Sequence, residues 1–241
     1  MQSFAAMLLA MLVGISALFS GPVELKGADM AAQTPGGWLV LTRSAAQSES
    51  SAAMFGMTAE EAVRFMEDND FYLVLYEPLT GAEIYVTIFG SQYAAQLHSF
   101  DVLTDDEMTL AKEDVQGQLT GWVFDSDVTE EKLGNFTYLS ALMHSVNSEK
   151  QLDSRQLFTI YDGLEIYIDL YAGDNGLQQE HVEAQNLVAQ TLQTDYAMHK
   201  AVKAYQGYVA WQVGLLMMVF VQFVGVAMTV LLHSRIKAGN V

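Results

Sequence analysis

Cysteine is missing from all 241 residues of this chain. That excludes disulfides, thiol catalysis, thiolate metal sites and lipid attachment through a cysteine. Basic residues are scarce as well: 11 Lys and Arg stand against 29 Asp and Glu, for a formal net charge of −18. All 29 acidic residues lie between Glu24 and Asp195, a span that holds only seven basic ones and so carries −22. A surface of that sign repels phosphate backbones, so nucleic acid is not an expected partner. Catalytic signatures are also lacking. There is no HExxH, GxSxG, phosphate-binding loop or dinucleotide fingerprint, and none of the five histidines pairs with another at i, i+4. No cofactor and no metal is expected.

Charge itself is missing from two long stretches. Gln206–Leu232 contains no Asp, Glu, Lys or Arg. At about 1.5 Å per helical residue, roughly 20 residues cross a bilayer core of ~30 Å, so residues 206–232 predict a transmembrane helix. Tyr205, Tyr208 and Trp211 gather at its leading edge and His233, Arg235 and Lys237 follow it, as expected where rings and cations meet headgroups. Gln212 and Gln222 are candidate intramembrane contacts, since an amide in hydrocarbon seeks a neighbouring helix. The N-terminus is apolar up to Glu24, and residues 1–20 read as a signal peptide or an uncleaved signal anchor. No Lys or Arg precedes that segment and no clean small-x-small cleavage site follows it. An exporting N-terminus places residues 28–197 outside the cytoplasm and residues 233–241 inside as a short basic tail. A tail-anchored cytoplasmic protein is the alternative.

Between these ends the pattern is mixed. Ala28–Gly36 reads as a small-residue linker, Gly36–Arg43 as a strand and Ser44–Ala53 as a mobile polar loop. Thr58-Ala-Glu-Glu61 and Thr104-Asp-Asp-Glu107 both fit capping boxes that open helices. Phe71–Glu77 and Glu83–Phe89 form a hairpin around Pro78–Gly81. Further strands are expected around Gly121–Phe124, Phe136–Val146 and Arg155–Tyr161. Asp162-Gly163 predicts a type I′ turn into Leu164–Tyr171. On that strand Leu164, Ile166, Ile168 and Leu170 point inward, and Glu165, Tyr167, Asp169 and Tyr171 outward. A last helix spans Gln178–Leu192, and Asp195–Tyr205 is expected to be helical. The order β-α-β-β-α-β-β-β-β-α predicts an α+β fold, a mainly antiparallel sheet with packed helices.

The segment Gly37–Leu192, with GWLVLTR, T-A-E-E, the YLV…EIYVTI hairpin, T-D-D-E and LFTIYDGLEIYIDLY in that order, resembles exported proteins of Gram-positive gut bacteria. Their domain is similar to the PsbP-like α+β sandwich. The resemblance implies that fold and an extracytoplasmic setting, and it implies no catalytic residues.

Tyr72, Val74 and Tyr76 fall on one face of their strand, as do Tyr85, Thr87 and Phe89 on the next, and Tyr167 and Tyr171 extend that face. Rings with polar tips suit partly wet contact surfaces. Tyr72, Tyr76, Tyr85, Tyr167 and Tyr171 are therefore the candidate binding face for a peptide or glycan, unless helices cover it. The expectation is a non-enzymatic binding or accessory module of the bacterial envelope. Its partners would be membrane lipid and another membrane or envelope protein. Two alternatives remain open: an envelope hydrolase with His144 or His181 as base, and a calcium sensor built on Asp125-Ser-Asp127-Val-Thr129-Glu-Glu131. That last run lacks the glycine and the final glutamate of an EF-hand loop.

Overall fold

The computed structural model describes residues 22–119, 122–145, 152–173 and 175–194. The chain divides into residues 1–199 and 200–241, and every described residue belongs to the first unit. The apolar N-terminal segment, the expected helix at Asp195–Tyr205, the span 206–232 with Gln212 and Gln222, and the basic tail lie outside the described residues. Among the described residues no helix is long and apolar enough to cross a membrane.

Local chemistry explains most of the elements. In chain order the strands are β1 (Pro22–Leu25), β2 (Met30–Gln33), β3 (Leu39–Thr42), β4 (Phe71–Tyr76), β5 (Glu83–Gly90), β6 (Trp122–Phe124), β7 (Thr129–Leu133), β8 (Phe136–Ser145), β9 (Asp153–Tyr161), β10 (Leu164–Tyr171) and β11 (Gln193–Thr194). The helices are α1 (Glu49–Met54), α2 (Ala59–Asp68), α3 (Gln92–Leu97), α4 (Asp105–Gln118) and α5 (Gln179–Thr191). Both expected capping boxes form. Thr58 and Thr104 accept from the amides of Glu61 and Glu107, whose carboxylates reach back to the cap amides. Asp162 and Gly163 take positive φ angles of 46° and 84°, the requirement of a type I′ turn. This turn sets the register in which Leu164 faces Tyr161.

The architecture is α+β with antiparallel sheets. The large sheet runs β3-β4-β5-β10-β9-β8-β6, with β7 pairing the same strand β8 beyond β6. A smaller sheet, β1-β2-β11, is assembled from the two ends of the described domain. One face of the large sheet is the main core. Leu73, Leu75, Ile84, Val86, Ile166, Ile168 and Leu170 pack there with Ala184, Val188 and Ala189 of α5 and with Leu25 and Met30 of the small sheet. The opposite face is covered in two separate places. Ala62 and Met66 of α2 pack with Leu41 and Val74 near one edge. Met108, Ala111 and Val115 of α4 pack with Leu139, Phe158 and Ile160 toward the other.

Several elements depart from the sequence expectations, among them β1 and β11, which lie outside the expected order. The supposed linker contains β2, with Met30, Ala31 and Ala32 buried; small side chains let this hairpin lie close on the core. The supposed mobile loop holds a 3₁₀ turn at Ala45–Gln47 and the helix α1, and Ala46 and Ala52 are fully buried. Helix α3, capped by Ser91, was not expected. The first predicted strand shortens to β3. The acidic run that carries the calcium alternative ends in β7, so Thr129, Glu130 and Glu131 belong to a strand on the sheet edge. Charged edge strands of this kind resist unwanted pairing with other chains.

Candidate functional site

Because α2 and α4 cover only parts of the second face, a cleft of about 480 Å³ opens on it. Its floor comes from alternate residues of two paired strands. Glu83 and Tyr85 of β5 lie opposite Tyr171 and Asp169 of β10 in the antiparallel register. Phe65 and Asn69 of α2 form one wall with Phe71, and Leu152, Ala172 and Gly81 complete the lining. The rings make a continuous series. Centroids are 5.3 Å apart for Phe65 and Phe71, 4.7 Å for Phe71 and Tyr85, and 5.7 Å for Tyr85 and Tyr171. Trp122 of β6 follows at 6.1 Å from Tyr171.

Two carboxylates sit among these rings. Glu83 Oε2 accepts from the Tyr85 hydroxyl at 2.5 Å, and Asp169 Oδ1 accepts from Gln156 Nε2 at 2.7 Å. Burial pushes the Asp169 carboxyl up to about 6, with the Gln156 amide partly opposing it. Burial also pushes the Tyr171 phenol up to about 12, helped by the charges of Asp169 and Glu83. The Tyr85 hydroxyl moves upward for the same reason, reinforced by its bond to Glu83. None of the described lining residues is Lys, Arg or His. The field inside the cleft is therefore negative and its walls are apolar and aromatic.

The five tyrosines expected to share one face do not all do so. Tyr85 and Tyr171 meet at the cleft. Tyr76 shares the face by register, opposite Glu83, but does not line the cleft. Tyr167 lies further along, stacked between Phe158 at 4.5 Å and Phe89 at 5.7 Å, with its hydroxyl bonded to Glu165. It is a packing residue of the cluster under α4. Tyr72 lands on the opposite face. A bulge between Phe71 and Leu73 shifts the register, so Phe71 takes the cleft side and Tyr72 packs on the main core. The Arg43 guanidinium lies 3.6 Å above the Tyr72 ring. Asp169 and Glu83 were not singled out from the sequence as site residues. Period-two alternation put Asp169 on the face of Tyr171, but as a solvent-facing position.

A second cleft, of about 500 Å³, lies where the Pro78–Gly81 turn meets α5. His181 is almost fully buried there, with Nε2 3.0 Å from Thr80 Oγ1. The Thr80 hydroxyl donates to Glu77 Oε2 at 2.5 Å, and the amides of Leu79 and Thr80 bond the same carboxylate. Burial pushes the Glu77 carboxyl up, but the bonds from Thr80 and Leu79 hold it below the usual range. The Gln178 amide donates to His181 Nδ1 at 3.4 Å. A backbone N–H can only donate, so Nδ1 accepts and the proton sits on Nε2. His181 thus donates to Thr80, whose own proton goes to Glu77. That is the reverse of a base withdrawing a proton from a nucleophile. His144 is paired through Nδ1 with Asp125 Oδ1 at 2.7 Å. Among the described residues no group of His, Asp and Glu is arranged to hold a metal ion.

Fold and cleft together define an α+β protein with a mainly antiparallel sheet and an acidic, aromatic surface cleft. No family model matches the chain, and no curated protein matches it. Among solved structures it is similar to a protein of Bacteroides thetaiotaomicron, at 12% identity and a TM-score of 0.42 over 73% of this chain. The match spans 47% of that protein, about half its length. It is also similar to the cyanobacterial PsbP (CyanoP) of Synechocystis sp. PCC 6803, at 11% identity and a TM-score of 0.43, covering 73% of this chain and 92% of that one. A third likeness is to LpqN, involved in cell envelope biogenesis of Mycobacterium tuberculosis. There the identity is 12% and the TM-score 0.39, over 72% of this chain and 83% of that one. At this distance neither residues nor activities carry across.

Proposed function

We propose that the protein is a membrane-anchored binding or accessory module of the bacterial envelope, its PsbP-like domain held outside the cytoplasm by a transmembrane helix at residues 206–232. The observation that carries the binding role is the open cleft floored by Tyr85, Tyr171, Glu83 and Asp169. Surface clefts with aromatic walls and a few convergent polar groups are where ligands bind. The uncharged run Gln206–Leu232 supports the anchor, and the apolar N-terminus supports export. Gln212 and Gln222 supply an additional contact with another membrane protein.

Full-length protein bearing Tyr85→Ala and Tyr171→Ala, or Gln212→Leu and Gln222→Leu, tests this by co-purification from detergent-solubilised membranes. The first pair is expected to lose a ligand or partner gripped by the cleft, and the second a partner gripped in the bilayer. Identical sets of bound molecules in wild type and both variants would refute the module. The alternative of a hydrolase finds its support in the Glu77–Thr80–His181 cluster. The proton order there favours a binding role, and a hydrolytic activity abolished by Thr80→Val would reverse that preference.

A further inference from the structure

We propose that the aromatic cleft recognises a cation: the ammonium or guanidinium group of a lysine or arginine side chain on a partner peptide. This rests on the reading of the cleft as a binding site and adds the class of ligand.

Asp169 is the first reason. It is a half-buried carboxylate whose hydrogen-bond partner in the structure is a neutral amide, Gln156 at 2.7 Å. Carboxylates removed from water are ordinarily balanced by a cation, and none of the described lining residues can supply one. Glu83, two positions before Tyr85 on the neighbouring strand, brings a second carboxylate to the same floor. Its partner is likewise neutral, the Tyr85 hydroxyl. The rings are the second reason. Phe65, Phe71, Tyr85 and Tyr171 surround these carboxylates, and aromatic walls attract cations through their quadrupoles. A neutral sugar would use the rings but leave the Asp169 charge unbalanced. The third reason is complementarity at long range, since the span Glu24–Asp195 carries 29 acidic residues against seven basic ones. Such a field steers a basic segment toward the domain, and the cleft gives it a specific place to dock.

The test is titration calorimetry on the full chain in detergent micelles at physiological salt. The probes are an end-blocked tetralysine and the neutral sugar chitotetraose. Tetralysine is expected to bind, and to lose about tenfold or more in affinity in Asp169→Asn, which keeps the side chain's shape. Glu113→Gln, which removes an exposed charge on α4, should stay within about twofold of wild type. Glu83→Gln provides a second cleft variant if Asp169→Asn fails to give a native near-ultraviolet spectrum. Equal tetralysine affinity in wild type and cleft variants would overturn the proposal, because it would report only general attraction to an acidic surface. Binding of chitotetraose alone, weakened by Tyr171→Leu, would overturn the cation while leaving the binding cleft intact. Binding of neither probe by the folded protein would count against both.

Discussion

Replacing Arg155 with methionine attacks an extended buried polar network between the sheet and α5. Arg155 is only 7% exposed and all its guanidinium nitrogens are engaged. Nε donates to Ser140 Oγ at 3.2 Å and Nη2 to Glu131 Oε2 at 2.6 Å. Nη1 donates to Gln185 Oε1 and to Asn186 Oδ1, each at 2.8 Å. Gln185 replies with bonds from Nε2 to the carbonyls of Arg155 at 2.9 Å and Ile168 at 2.6 Å, so one helix is fastened to two strands. Removing one partner of a buried pair costs about 3–5 kcal/mol, mainly through the group left behind. Glu131 is 31% exposed and regains some hydration, which sets the expected loss near the lower end, about 3 kcal/mol. Replacing both Arg155 and Glu131 with methionine should cost less than the sum of the single changes, by about 1–2 kcal/mol.

The network also predicts a pH dependence. Burial alone would raise the Glu131 carboxyl, but bonds from Arg155 and Ser140 hold it below its ordinary 4.5. A lowered carboxyl contributes stability that is present above pH 4.5 and fades as pH falls through the folded value. The gap between wild type and Arg155→Met should therefore narrow in acid. Urea denaturation of the full chain, followed by tryptophan fluorescence at pH 7 and pH 3.5, measures both effects. A loss below about 1 kcal/mol at pH 7, with no narrowing in acid, would show that the Arg155 network contributes no more than an exposed ion pair.

Asp169→Asn should stabilise the unliganded protein at pH 7 by on the order of 2 kcal/mol, because it removes a carboxylate raised by burial to about 6. The gain should shrink as pH falls from 6 toward 4, where wild-type Asp169 is protonated in the folded state amid Glu83, Tyr85, Tyr171 and Gln156; thermal melts across that range check it. Gly173→Ala would put a methyl carbon 1.9 Å from the carbonyl oxygen of Thr80. The forced shift of the Pro78–Gly81 turn should cost about 2 kcal/mol or more, read as a lowered Tm. Thr58→Ala and Thr104→Ala should each cost about 1 kcal/mol and add nearly independently, since they cap separate helices.

What could be read from the sequence was what short-range chemistry dictates. The two capping boxes and the Asp162-Gly163 turn need only neighbouring residues, and the alternation of β10 needs only the pleat. The inward set Ile166, Ile168 and Leu170 is fully buried. Elements stabilised by tertiary contact were illegible. Ala31 and Ala32 have no strand signature, and the burial of Ala32 depends on α5 and the sheet packed against it. Ala46 and Ala52 turn a serine-rich stretch into an ordered wall only because Leu41, Met66 and Val74 are already in place. The TEEKL run of β7 looks like a solvated turn until β8 offers it an edge.

The candidate site was half legible for the same reason. Strand periodicity brought Tyr85 and Tyr171 to one face. It could not foresee the bulge at Phe71–Leu73 that exchanges Tyr72 for Phe71. Nor could it show that α2 and α4 cover that face in two places and leave Asp169 and Glu83 in an open cleft beside α2. A carboxylate becomes a site residue through what surrounds it, and those surroundings come from α2, neighbouring strands and loops distant in sequence.

Protease accessibility on intact cells or protoplasts, with a tag placed after Val241 and an antibody raised against the folded domain, tells on which side of the membrane the domain lies. External protease is expected to remove the domain while the tag survives in a small membrane-bound fragment. A domain protected until the membrane is broken would contradict that expectation, and would move this acidic cleft and its ligand to the cytoplasmic side.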